Sequence, residues 1–166
     1  MANLSLTRVN QKLMQAKILL QGVDEESLTP VHRNSLLEAA AFHLICAHQH
    51  YLRELAENYG LKNIIALRNE QDLIAAFEAA KKYAVEAQEL QELRKQSASW
   101  LSQLQTYYDS LWRTPVRTEP SQSENLISLV DEDSASLPEV DLASVRNWQS
   151  EFTALVLRQR ETSAEF

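Results

Sequence analysis

Apolar residues open the chain as Leu6, Val9, Leu13, Ala16 and Leu20, in steps of 3, 4, 3 and 4. That spacing lays one stripe along an α-helix. Asn3 or Ser5 is placed to cap its start, and Gly22 suits its end. Asp24 to Ser27 reads as a polar loop. Thr29-Pro30 then predicts a second helix, with a capping hydroxyl followed by proline at the first helical position. Its apolar positions, from Leu37 and Ala40 through Leu44, Ile45 and Tyr51 to Leu55 and Tyr59, occupy one half of a helical wheel. Gly60 is placed for the left-handed cap that closes it. An apolar half-circle on so long a helix calls for neighbours on two sides, so this is the expected central helix.

Beyond Gly60 the pattern is weaker. Leu61, Ile64, Ile65 and Leu67 allow a short helix or a turn. Asn69 and Asp72 sit where a cap and a first-turn acid belong, ahead of Leu73, Ile74, Phe77 and Ala80. From Leu90 through Leu93, Ser97, Trp100, Leu104 and Tyr107 to Leu111 the steps of 3 and 4 resume. They favour one continuous helix to Trp112. Ser97-Ala98-Ser99 also offers capping serines, so a break and restart near Ser99 is the competing expectation. A last helix is expected after the cap Asp141, with Leu142, Val145, Trp148, Phe152 and Leu155 on one face. Arg158 and Arg160 then lie near its carboxyl end, where cations suit the helix dipole.

Residues 114–140 differ in kind. They hold Pro115, Pro120 and Pro138, three of the four prolines in the chain. The composition predicts an irregular crossover before the last helix. Within it Leu126, Ile127, Leu129 and Val130 form an apolar island, expected either to pack on the bundle or to dock onto a partner.

Composition narrows the picture. The chain has 166 residues and only two glycines. That leaves no phosphate-cradling glycine loop and few turns for a β-sandwich or barrel. The expectation is a single all-α domain, a bundle of four to six helices. Net charge is −7, which lacks the basic footprint of nucleic-acid binding. The longest near-apolar run, Ala39 to Ala47, is too short to span a bilayer. The N-terminal stretch carries Arg8 and Lys12 inside its apolar pattern, so it reads as a helix and not as a secretion signal. The single cysteine, Cys46, fits a reducing cytoplasm.

Three stretches carry a likeness to a known family: LLEAAAFHLICAHQHYLRELAENYGL, SWLSQLQTYY and NWQSEFTALVLRQRE. They resemble a family of small uncharacterised bacterial helical proteins that bears a domain-of-unknown-function label. The matching positions are Glu38, His43, Leu44, Trp100, Leu101 and Trp148. The resemblance implies a bacterial helical bundle and no particular activity.

Chemistry is sparse. His43, Cys46 and His50 are spaced 3 and 4 on the second helix, at about 220°, 160° and 200° on its wheel. His32, Glu54 and Glu57 extend that stripe. Imidazole, thiolate and carboxylate suit zinc, but His43 and His50 are about 10.5 Å apart in rise. The competing reading is a polar helix face with a small thiol. His48 falls in the middle of the apolar face. It is either a buried acid or base, or a core histidine bonded to a neighbouring helix. No glutamate has a histidine three residues on, which excludes the di-iron bundle pattern. Tyr108 and Trp112 lie off the seam of their helix and are interface candidates, together with the island Leu126, Ile127, Leu129 and Val130.

The leading functional expectation is therefore a non-catalytic cytoplasmic bundle that binds another protein or itself, with no cofactor. The alternative is a metal- or small-ligand-binding enzyme using the His43/Cys46/His50 face.

Overall fold

In the computed structural model, which describes residues 3–114 and 140–164, the chain forms six α-helices and, among the described residues, no strand. They are α1 (Leu4–Leu20), α2 (Pro30–Asn58), α3 (Glu70–Ala79), α4 (Val85–Lys95), α5 (Trp100–Ser110) and α6 (Leu142–Ala164). The expected all-α bundle is what the chain forms.

Local signals set most of the boundaries. Asn3 caps α1 through Leu6 N–H, and Thr29 caps α2 through His32 N–H, with Pro30 in the first turn. Gly60 takes φ +64° after α2. Its N–H reaches Glu57 O, and Leu61 N–H reaches Ala56 O, the paired bonds of a Schellman cap. Lys81 adopts φ 53° after α3 in the same role, with Lys82 N–H bonded to Phe77 O. Here the motif is completed without glycine.

The continuous helix favoured over residues 90–112 does not form, and the competing break does. Ser99 Oγ donates to Leu93 O at 2.5 Å and accepts from Ser102 N–H at 3.1 Å. Ser102 Oγ donates to Arg94 O at 2.7 Å. Two hydroxyls thus satisfy carbonyls at the end of α4 and a free N–H at the start of α5. Hydroxyls that bond nearby backbone in this way compete with helix continuation. Leu93 is only half-buried and Ser97 is exposed as a consequence.

One hydrophobic cluster gathers residues from all six helices. α2 is central, as expected, and α1 packs along it. α6 closes the bundle with Val145, Trp148 and Phe152. Phe152 stacks on Trp100 with ring centroids 5.0 Å apart. Polar contacts, from exposed to fully buried, fix the placement of α6. Arg146 donates to Leu20 O and Val23 O. Arg160 clasps Glu54 at 2.7 and 2.8 Å. Tyr51 donates to Gln159 Oε1 at 2.6 Å. Arg158 and Arg160, expected to serve the helix dipole, instead pair with Glu89 and Glu54. Glu54, read as part of the polar stripe of α2, is 0 % exposed. The irregular segment expected over 114–140, with Leu126, Ile127, Leu129 and Val130, lies almost wholly outside the described residues.

Candidate functional site

Three chargeable side chains meet where α2, α3 and α4 converge. Each occupies a position on an apolar stripe of its own helix. His48 lies amid the buried face of α2. Glu70 precedes Leu73 and Phe77 on α3 by 3 and 7 residues, and Arg94 follows Leu90 on α4 by 4. A polar residue in phase with a stripe is carried into the interior and must find a partner there.

Glu70 is the hub. It is 3 % exposed. Arg94 donates from Nε to Oε2 at 3.1 Å and from Nη2 to Oε1 at 3.0 Å. His48 Nε2 approaches Oε1 to 2.7 Å, off the direction of the ring N–H, so this contact is ionic in distance and weakly directed as a hydrogen bond. Burial works to raise the Glu70 carboxyl. His48 and Arg94 outweigh it and hold the group at about 2. Arg94 Nη1 extends to Leu101 O at 3.4 Å, linking the network to α5.

The network floors a surface cleft of about 580 Å³, within the range of small-molecule sites. α2 supplies Ile45, His48 and Gln49. The entry to α3 supplies Arg68, Asn69, Glu70 and Gln71, α4 supplies Gln91, Arg94 and Lys95, and α5 supplies Gln105 and Asp109. The rim is held in place. Gln49 Nε2 donates to Leu67 O at 2.6 Å, Arg68 N–H to Asp72 Oδ2 at 2.8 Å, and Asn69 Oδ1 accepts from Asp72 N–H at 2.9 Å. The cleft can therefore present amides and cations in fixed positions around a carboxylate that is already neutralised.

The residues singled out by spacing lie elsewhere. His43, Cys46 and His50 are partly buried on the α1–α2 face. Lys12 Nζ stands 3.5 Å from His43 Nδ1. Burial and then Lys12 lower the His43 pKa. Burial, followed by Arg53, Arg8 and Lys12, lowers that of His50. Burial pushes the Cys46 thiol up, against a smaller opposing effect of Lys12. This neighbourhood of cations repels a dication, and burial keeps the thiol protonated against their pull. Among the described residues no group of three or more His, Cys, Asp or Glu side chains is placed to hold a metal ion. His32 is exposed and Glu57 half-buried on the same helix.

Tyr108 and Trp112 remain together at the end of α5, edge to face with centroids 6.2 Å apart, and Trp112 is 76 % exposed. Leu126, Ile127, Leu129 and Val130 fall outside the described residues. His48, expected as either a buried acid or base or a core histidine bonded to a neighbouring helix, is buried with Nε2 2.7 Å from Glu70 of α3, a contact without hydrogen-bond geometry. Glu70 and Arg94 escaped the sequence reading. Their phase with the α3 and α4 stripes was the signal that marks them.

A second concavity runs between α1 and α6, lined by Leu13, Met14, Lys17, Leu157 and Arg160 among others. Among the described residues no helix is long and apolar enough to cross a membrane.

Neither the curated proteins nor the solved structures contain a match to this chain. A family model does match, over residues 1–166. The chain belongs to that family, a family of unknown function designated DUF6586.

Proposed function

We propose that this protein is a non-catalytic, cytoplasmic binding protein whose cleft between α2, α3, α4 and α5 takes a small polar ligand. The observation that carries the reading is the state of Glu70. A carboxyl held at about 2 stays ionised throughout the neutral range. It neither gives nor takes a proton there, so this carboxylate is suited to orienting Arg94 in the cleft and poorly suited to general acid–base work. The amide-rich rim, with Gln49, Asn69, Gln71, Gln91 and Gln105, supplies both donors and acceptors for a polar solute. The net charge of −7 supports a small solute over a nucleic acid, and the lone free Cys46 supports a reducing compartment. Bacterial origin rests on the sequence resemblance.

The test is calorimetric titration of a panel of neutral, cationic and anionic small solutes into the wild-type protein and a Gln91→Trp variant that fills the cleft. Saturable one-to-one binding by a panel member, lost in the filled variant, supports the reading. Binding unaffected by the filling, or no binding across the panel, overturns it.

A second reading, association through the surface, is favoured by the α1–α6 groove. Met14 and Leu157 stand more than half exposed there. Lys17 and Arg160 line the groove and, among the described residues, no carboxylate does. An acidic surface complements it, and a second copy of this acidic chain supplies one. Sedimentation velocity across a concentration series tests this reading. It predicts a dimer that Leu157→Asp abolishes, and a strictly monomeric wild type contradicts it.

A further inference from the structure

The charge around the cleft is inverted relative to the rest of the chain. The molecule carries −7, yet among the described residues the cleft is lined by Arg68, Arg94 and Lys95 against Glu70 and Asp109. The two carboxylates are already engaged. Glu70 is held by Arg94 and His48, and Asp109 Oδ1 accepts from Gln105 Nε2 at 2.8 Å.

The cations are engaged unequally. Lys95 pairs with Glu92 at 2.8 Å. Arg94 spends Nε and one N–H of Nη2 on Glu70 and reaches Leu101 O from Nη1. A guanidinium has five N–H groups, so part of its donor edge is left over. Arg68 is exposed, and among the described residues its guanidinium makes no hydrogen bond or ion pair. Between the two arginines lies the start of α3. There Asn69 caps Asp72 N–H, and the N–H groups of Glu70 and Gln71 have no intrahelical acceptor. Unspent guanidinium donors and free amide N–H groups share one preferred ligand, a compact oxyanion.

From this we infer that the cleft ligand is a small anion whose carboxylate or phosphate group is bound by Arg68 and by the free edge of Arg94. The inference rests on the proposed cleft-binding function and adds the ligand's class to it. Glu70 then acts as a positioning residue. It fixes the Arg94 plane at the cleft wall through two contacts, and it does not itself meet the anion. The rim amides bind the polar remainder of the ligand. The carboxylate and the phosphate are two sources of the same chemistry, and the probes below separate them.

The experiment titrates four probes into the full chain at low salt by calorimetry: citrate, inorganic phosphate, trehalose and putrescine. The expected result is saturable binding of citrate or phosphate and none of putrescine. Citrate alone indicates a carboxylate ligand, and phosphate alone a phosphate ligand. Arg68→Gln should weaken the bound anion at least tenfold, because it deletes a surface charge without touching the core. Arg68→Lys should recover only part of the loss, since an ammonium lacks the forked donor geometry. Arg33→Gln, which removes a cation outside the cleft, should leave affinity unchanged. Equal weakening by Arg33→Gln and Arg68→Gln would show a diffuse charge effect and overturn the inference. Binding of trehalose or putrescine without either anion overturns the inference and leaves the cleft-binding function standing. No binding by any of the four overturns both.

Discussion

Arg94 holds Glu70 by two parallel contacts, Nε to Oε2 at 3.1 Å and Nη2 to Oε1 at 3.0 Å. The pair ties α4 to the first turn of α3. The energetic weight of the site, to which His48 contributes first and Arg94 next, follows from the Glu70 carboxyl, which the folded protein holds at about 2 against an ordinary value of 4.5. A depressed carboxyl stabilises the fold fully above its unfolded value and loses that contribution as pH falls through the folded value. The contribution is about 3 kcal/mol, present above about pH 4.5 and lost on acidification toward pH 2. Urea denaturation of wild type and Glu70→Gln between pH 7 and pH 3 should show the two stabilities converging at low pH. Parallel curves across that window would contradict this account.

A second buried carboxylate is Glu54, which Arg160 grips from α6 while Arg160 Nη1 also reaches Asn10 Oδ1 at 2.8 Å. Arg160→Leu strands a buried charge, and the expected loss is about 3–5 kcal/mol. Replacing both partners, Glu54→Leu with Arg160→Leu, removes the stranded charge and should restore most of that loss. Chemical denaturation of the three variants checks the pattern. A double variant as unstable as the single one would show that the pair contributes more than mutual neutralisation.

Ser99 decides where α4 stops and α5 begins. Ser99→Ala deletes the cap on Ser102 N–H and the bond to Leu93 O. The expected cost is about 1–2 kcal/mol, with Ser99→Asp retaining much of the cap. A drop in thermal midpoint for Ser99→Ala, partly recovered in Ser99→Asp, is the expected signature. If Ser99→Ala instead raised helicity with no loss of stability, the break would not depend on this residue.

Cys46 is half-buried and its thiol is pushed up by that burial. Because the thiolate is the reactive form, alkylation by iodoacetamide at pH 7 should be several-fold slower than for a free cysteine peptide, with the gap persisting to about pH 9. Alkylation as fast as the peptide would show a thiol activated by Lys12, reviving a chemical role for that face.

Much of this fold was legible because its instructions are local. Thr29-Pro30, Asn69 with Asp72, Asp141 and Gly60 each act within a few residues of themselves, and each marks a helix end where spacing placed it. The 90–112 region shows the limit of such reading. A heptad-like stripe and the serines Ser97 and Ser99 make competing claims there, and the outcome is set by Ser99, which reaches Leu93 O, together with Ser102, outside that pair, which reaches Arg94 O. The site was less legible for a different reason. His43, Cys46 and His50 drew notice because they share one helix face, yet Lys12, Arg8 and Arg53, which set their electrostatics, come partly from α1. His48, Glu70 and Arg94 span 47 residues of sequence and three helices. Each breaks an apolar stripe alone, and only packing shows that the three interruptions answer one another.

The cleft's role as an anion-binding site is tested most directly by where a bound anion sits. Nitrogen–proton correlation spectra, recorded while citrate and then phosphate are titrated into the labelled protein, report this residue by residue. Saturable shifts confined to the Arg68 and Arg94 Nε–H signals, the Gln71 and Gln91 side-chain amides and the first turn of α3 are the predicted result. Shifts that centre on the α1–α6 groove, or no saturable shift at millimolar anion, would contradict it.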